Sequence, residues 1–152
     1  VDAGAVEGMF NGGVESIYDY ERLFSATAEG SDVHNINANG GEIVPVSEVT
    51  ADVLRQAMAL SERTGGALDI TAYPAVKAWG FTTGEYRVPG QEELDELIKN
   101  IDYTALKMDK STRSVSLPKG MAADLGAVAK GYAGRELAQA AAGGGSAGAR
   151  SW

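Results

Sequence analysis

Apolar residues at Met9, Phe10, Val14, Ile17, Tyr20 and Phe24 recur mostly at steps of three and four. That is the period of one helical face and predicts a helix over residues 6–24, weakened early by Gly12 and Gly13. Residues 25–41 are rich in Ser, Asn, Gly and Asp without a sustained period and read as a structured loop. Residues 43–46 are strand-like, and Ser47 or Thr50 can cap a helix carrying Val53, Leu54, Ala57, Met58 and Leu60 until Gly65-Gly66 stops it. After Pro89-Gly90 a third helix is expected, with Glu92, Glu93 and Asp95 at its positive end and Lys99 at the other. Leu94, Leu97, Ile98 and Ile101 form its expected buried stripe.

Leu106 and Met108, then Val115 and Leu117, alternate with polar residues on either side of Asp109-Lys110-Ser111-Thr112, the pattern of a hairpin. Residues 127–142 are Ala-rich and helix-forming despite Gly131 and Gly134, and the loop Asp124-Leu125-Gly126 leads into them. Helices mixed with hairpin strands give an α+β fold class. Residues 143–152 have almost no apolar content, so no core strand or helix is expected there.

Composition narrows the functions. A chain of 152 residues, 44% hydrophobic and 22% charged, has the size and mix of one globular domain. Its net charge of -8 argues against a general nucleic-acid or anionic-membrane surface, because phosphates are held by clustered Lys and Arg. The absence of cysteine removes disulfides, thiol nucleophiles and Cys-based metal sites. No apolar run approaches the roughly 18 residues of a membrane-spanning helix. The chain begins with Val1, so this says nothing of a targeting segment upstream.

The strongest local chemistry lies at Asp124 to Gly131. A glycine-containing loop enters a helix whose first N–H groups and positive dipole end favour an anion, and Lys130 adds a full charge nearby. A pyrophosphate suits that arrangement, and Asp124 with free carbonyls offers oxygens to a hard cation such as magnesium. The competing reading is an ordinary capping Asp followed by a solvated Lys. At Thr64-Gly65-Gly66-Ala67-Leu68-Asp69-Ile70-Thr71, two glycines let a ligand approach the backbone, and Asp69 can accept hydrogen bonds from a heterocycle. The alternative there is a Gly C-cap with an Asp supporting the next turn. Tyr73-Pro74 and Trp79-Gly80-Phe81 either flank a planar ring or serve as core and turn residues. His34, the only histidine, has no partner in a metal-ligand spacing and reads as an exposed loop residue. No Ser/His/Asp triad can be assembled.

Four ordered segments together resemble the FAD:protein FMN transferase family, the ApbE-like flavin transferases also called thiamine-biosynthesis lipoproteins. They are Leu23-Phe24-Ser25 with Gly30-Ser31-Asp32 and Ile36-Asn37; "TGGALDITAYP" with "KAWGF"; Val88-Pro89; and "ADLGAVAKGYA". The resemblance runs from about Tyr20 to Leu137. It implies an ApbE-like, T-fold-like domain with a mixed or antiparallel sheet and packed helices.

It also implies magnesium-dependent transfer of FMN from FAD to a Ser or Thr hydroxyl of an acceptor flavoprotein, with release of AMP. Carried over by position, Asp124 and Lys130 fall at flavin-nucleotide contacts and the backbone carbonyl of Ala127 at a magnesium ligand. Ala67, Leu68 and Asp69 match a segment lining the FAD site. Thr27 stands where relatives often have an aromatic residue packed on the nucleotide. Hydrolysis of FAD to FMN and AMP, as in some relatives, and flavin binding without catalysis are the alternatives.

Relatives continue with a Gly-Gly-Asn strand region, a His-containing stretch and an Asp/Thr pair completing the magnesium site, which this sequence does not contain. The resemblance thus implies a truncated fold. Residues 1–142 are expected to be the N-terminal portion of the domain and 143–152 a flexible tail unlike the family, with little activity in the chain alone. Relatives are often exported and lipid-anchored, so an extracytoplasmic, membrane-anchored or periplasmic setting is expected for the full-length parent.

Overall fold

The computed structural model describes residues 3–109 and 111–143. The first helix, α1 (Ala3–Phe24), follows the apolar period; the side chains of Met9, Phe10, Val14 and Ile17 lie outside the described residues. The stretch 25–41 departs from expectation, because it contains a helix, α2 (Asp32–Ala38). Ser31 caps it, its hydroxyl accepting the His34 N–H at 3.0 Å, and Asp32 lies in its first turn. Only Val33 and Ile36 face the core, too few apolar positions to register as a period. His34 therefore sits half-buried on a helix, a correction to the exposed-loop reading, and its Nδ1 is buried without a partner among the described residues.

Strand β1 (Val44–Pro45) leads to α3 (Glu48–Arg63), where Ser47 is the cap and accepts the Thr50 N–H at 3.1 Å. The inward face of α3 runs through Thr50, Val53, Leu54, Ala57 and Ser61. Ser61, not the expected Leu60, holds its last buried position, and Leu60 is 37% exposed. Gly65 and Gly66 end the helix with φ of 62° and 82°, backbone that favours glycine.

A short helix, α4 (Tyr73–Ala78), packs against α5 (Gln91–Ile98). The expected helix after Gly90 is present, but its buried stripe is not. No residue of α5 is buried, and Ile98 is 61% exposed. The physical reason is its neighbour: six residues of α4 cover only part of an apolar face, leaving Leu94, Leu97 and Ile101 half-buried.

The expected hairpin forms as β2 (Lys107–Asp109) and β3 (Ser114–Ser116), with β1 added antiparallel in the order β1-β3-β2. Val115 is central, paired with Val44 on one side and Met108 on the other, and fully buried. The last helix, α6 (Gly126–Gly143), packs on α1 and α3. Of the expected tail, residues 144–152 lie outside the described residues. No helix among the described residues is long and apolar enough to cross a membrane.

Residues 121–125 link sheet to α6 and matter most for the site. Met121, Ala123 and Leu125 are buried, while Ala122 and Asp124 between them are half-exposed. This period of two is that of an extended segment with one face in the core. Ala122 makes a parallel bridge with Ala72, and the Asp124 N–H donates to the Ile70 carbonyl at 2.8 Å.

Candidate nucleotide-binding groove

A groove of about 730 Å³ opens between the end of α1, residues 25–27, Tyr73 and the first half of α6. That volume lies within the roughly 300–1,000 Å³ typical of small-molecule sites. Its walls are largely aromatic and aliphatic. Tyr20 and Phe24, one turn apart on α1, stack at 5.7 Å, and Tyr132 of α6 meets both edge-on at 5.7 and 6.2 Å. Ala129, Ala133 and Leu137 continue the apolar wall.

Two charged groups, Asp124 and Lys130, lie at the start of α6, and a second carboxylate, Glu21, lines the groove from α1. Asp124 Oδ1 accepts the Gly126 N–H at 2.9 Å, so the carboxylate folds over the helix entrance. A Cβ at residue 126 would stand 3.3 Å from that oxygen, so any side chain there would have to displace the carboxylate by a few tenths of an ångström. Lys130, exposed in the second turn, lines the same groove and has no ion pair among the described residues. Tyr73 stands opposite; burial, and then the nearby Asp124 charge, hold its hydroxyl above the usual tyrosine range. An unpaired ammonium at a helix entrance, facing aromatic walls, suits a ligand with a flat ring and a phosphate.

Thr27 also lines this groove. Its segment is a closed knot: Ser25 Oγ accepts N–H groups from Thr27 and Ala28 at 3.3 and 2.9 Å, and the Ser31 hydroxyl donates to the Ser25 carbonyl at 2.5 Å. Leu23-Phe24-Ser25 and Gly30-Ser31-Asp32 thus act as one unit. Asp32 extends it, its Oδ2 accepting from the Ser47 N–H at 2.9 Å and the Thr50 hydroxyl at 2.6 Å.

The other expected site residues lie elsewhere. Ala67, Leu68 and Asp69 do not line the groove. Asp69 Oδ1 accepts the Thr71 N–H and hydroxyl at 2.8 and 2.6 Å, and its Oδ2 accepts the Tyr103 N–H at 3.0 Å. Both oxygens are thus engaged within the chain. Ala127 is exposed and faces a second cavity of about 420 Å³, with Val53, Gln56, Arg63 and Arg135. The helical period explains the split. Gly126, Lys130, Ala133 and Leu137 follow one face of α6, and Ala127, Gly131 and Arg135 follow the next.

Trp79 stacks on Phe81 at 6.4 Å between centroids and Tyr86 meets Phe81 edge-on at 5.9 Å. Gly80 makes this possible: its φ is 79°, and a Cβ there would stand 2.0 Å from the Glu85 carbonyl oxygen. Sequence reasoning missed Tyr20 and Phe24 as groove walls, because one apolar stripe serves core and cavity alike. It also missed what Asn37 does. The Asn37 amide donates to the Ala123 carbonyl at 2.9 Å and accepts the Ala123 N–H at 2.7 Å.

Magnesium takes six oxygens in near-octahedral array, usually one or two carboxylates with phosphates and water. Among the described residues no group of three His, Asp or Glu side chains is placed for a metal, and Asp124 and Ala127 line different cavities. The donor set here does not by itself form a magnesium cage.

Known proteins share both sequence and fold with this chain. The sequence model of the ApbE family matches residues 5–149. The FAD:protein FMN transferase of Escherichia coli is 32% identical over 100 residues, which is 62% of this chain and 28% of that protein. That of Haemophilus influenzae is 31% identical over 130 residues, 80% and 37% respectively, so the chain spans between a quarter and two fifths of these relatives. The crystal structure of the ApbE protein of Thermotoga maritima superimposes with a TM-score of 0.86 at 34% identity, over 91% of this chain and 45% of that one. The Pseudomonas stutzeri flavinyl transferase ApbE shares the fold, with a TM-score of 0.80 at 22% identity. With a family model matched over residues 5–149 and a fold shared with the Thermotoga maritima ApbE protein, this chain is a member of the ApbE family.

Proposed function

We propose that this chain supplies part of the FAD site of a magnesium-dependent FAD:protein FMN transferase. The observation that carries the reading is the unpaired Lys130 beside the entrance of α6, in a groove walled by Tyr20, Phe24 and Tyr73. In the reaction, an acceptor Ser or Thr oxygen attacks the phosphorus of the FMN half, the bond from that phosphorus to the bridging oxygen breaks so that AMP leaves with that oxygen and its electron pair, and the hydroxyl proton passes to solvent. Such phosphoryl transfer depends mainly on positioning and charge neutralisation.

Lys130 holds the diphosphate and the aromatic wall excludes water from one side of it, while the Gly126, Val128 and Ala129 N–H groups at the entrance of α6 are taken by Asp124 and Leu125. Asp124 fixes the helix entrance through Gly126. Magnesium, when bound, would further neutralise the diphosphate. The family resemblance would make the Ala127 carbonyl a magnesium donor, but Ala127 lines the second cavity and not the groove, so no magnesium contact is derived from the described residues of this chain. The acceptor flavoprotein and an extracytoplasmic setting belong to the same proposal.

Calorimetric titration with FAD and with ADP tests the reading. Binding of both, weakened by removal of Lys130, is expected; no binding of either would sink it. Transfer of FMN to an acceptor protein is expected of the full-length relative with magnesium and not of this chain alone. Thr27 in the groove, where an aromatic residue is common, favours one second reading, an FAD pyrophosphatase. Free FMN and AMP forming without an acceptor would distinguish it.

A further inference from the structure

Asn37 lies on α2 and does not line the groove, yet its side chain reaches a segment 86 residues away. Its two bonds to Ala123 copy the paired bonds of an antiparallel ladder, with a side-chain amide in place of a neighbouring strand. On the next residue, the Asp124 N–H is bound to the Ile70 carbonyl, and Ala122 bridges Ala72. Residues 122–124 are therefore held from two sides. Asn37 takes one side, and the turn stapled by Asp69 and Thr71 takes the other.

We infer that Asn37 is a positioning residue for ligand binding: it fixes the Ala123 backbone so that Asp124 and the first turn of α6 face the groove. The inference rests on the reading of that groove as a nucleotide site. Three features favour positioning over general support. The bonds go to backbone, so they set the segment's path rather than any side chain. Ala123 is fully buried, so in the native chain its backbone groups are satisfied by Asn37 and not by bulk solvent. The next three residues contain the carboxylate and glycine that shape the helix entrance.

The experiment compares Asn37→Ala and the near-isosteric Asn37→Asp with the native protein, and uses Ile36→Val on the same helix as a stability control. Asn37→Asp keeps an acceptor for the Ala123 N–H but turns a second acceptor toward the Ala123 carbonyl. Amide hydrogen exchange is read at Ala123, Asp124 and Gly126, and at Val115 as a remote reference. ADP affinity is measured alongside.

Both Asn37 variants are expected to speed exchange at 123–126 by about tenfold or more, the scale of a lost buried hydrogen bond, with Val115 unchanged. ADP should bind about tenfold more weakly, and Ile36→Val should leave both readouts near native. Unchanged exchange at 123–126 overturns the positioning role. Equal acceleration at Val115 shows general loosening and also overturns it. Faster local exchange with native ADP affinity overturns the link to binding. Failure of the native protein to bind ADP sinks the nucleotide reading itself, and the inference falls with it.

Discussion

The Asp69 carboxylate accepts the backbone N–H of Tyr103 at 3.0 Å, joining the turn after α3 to the 3-10 turn at Tyr103–Ala105. Its other oxygen accepts two bonds from Thr71, whose hydroxyl oxygen in turn accepts the Asp102 N–H at 2.8 Å. Asp69 is thereby a junction between two segments. Asp69→Ala should cost about 3 kcal/mol, because several charge-assisted bonds are lost and buried donors are left unpaired. Chemical denaturation measures this. A small stability change with a large loss of FAD affinity would instead make Asp69 a ligand contact.

Lys130 should behave in the opposite way. It is exposed and unpaired among the described residues, so Lys130→Ala should shift stability by no more than about 0.5 kcal/mol. Affinity for ADP should fall about tenfold or more, as expected for a lost charge-assisted contact. Calorimetry at two salt concentrations provides the check, since the lost contact is electrostatic.

Ser61 is fully buried, and its Oγ has no partner among the described residues. A buried hydroxyl without a hydrogen bond costs free energy. Ser61→Ala should therefore raise stability by about 1 kcal/mol, seen as a higher denaturation midpoint with unchanged slope. A loss of stability would show that the hydroxyl has a bonding partner, such as a buried water.

Tyr132 carries a pH prediction. Burial, followed by the charges of Glu136 and Asp52, pushes its hydroxyl up to about 12. A tyrosine raised in the folded state binds its proton more tightly there than when unfolded. The resulting stability is full below the unfolded value near 10 and is lost as pH rises toward 12. Denaturation midpoints should fall across that window, and Tyr132→Phe should flatten the fall. Burial also raises Tyr20 and Tyr73, so ultraviolet titration should show late-ionising tyrosines in the native protein and one fewer of them, the latest, in the variant.

Local chemistry in the sequence was enough for α1, α3, α6 and the hairpin around Val115, because each carries its own period and its own start or stop signal. It was not enough for α2, where Val33 and Ile36 alone face inward. Nor could it say how deeply α5 is buried. An apolar stripe records what a helix can cover, and the short α4 beside it decides how much is covered.

By itself, the sequence determined that a glycine-bearing turn with Asp124 and Lys130 opens a helix, and it carried the motifs that mark the family. Only the tertiary structure decided which of the marked residues share a groove. Helical geometry turns Lys130 toward Tyr20 and Tyr73 and turns Ala127 away, while Asp69 and Asn37 act through the backbone from outside. The reason is range. Turns, caps and periods arise among residues a few positions apart, whereas Asn37 meets Ala123 across 86 positions, a contact no local pattern records.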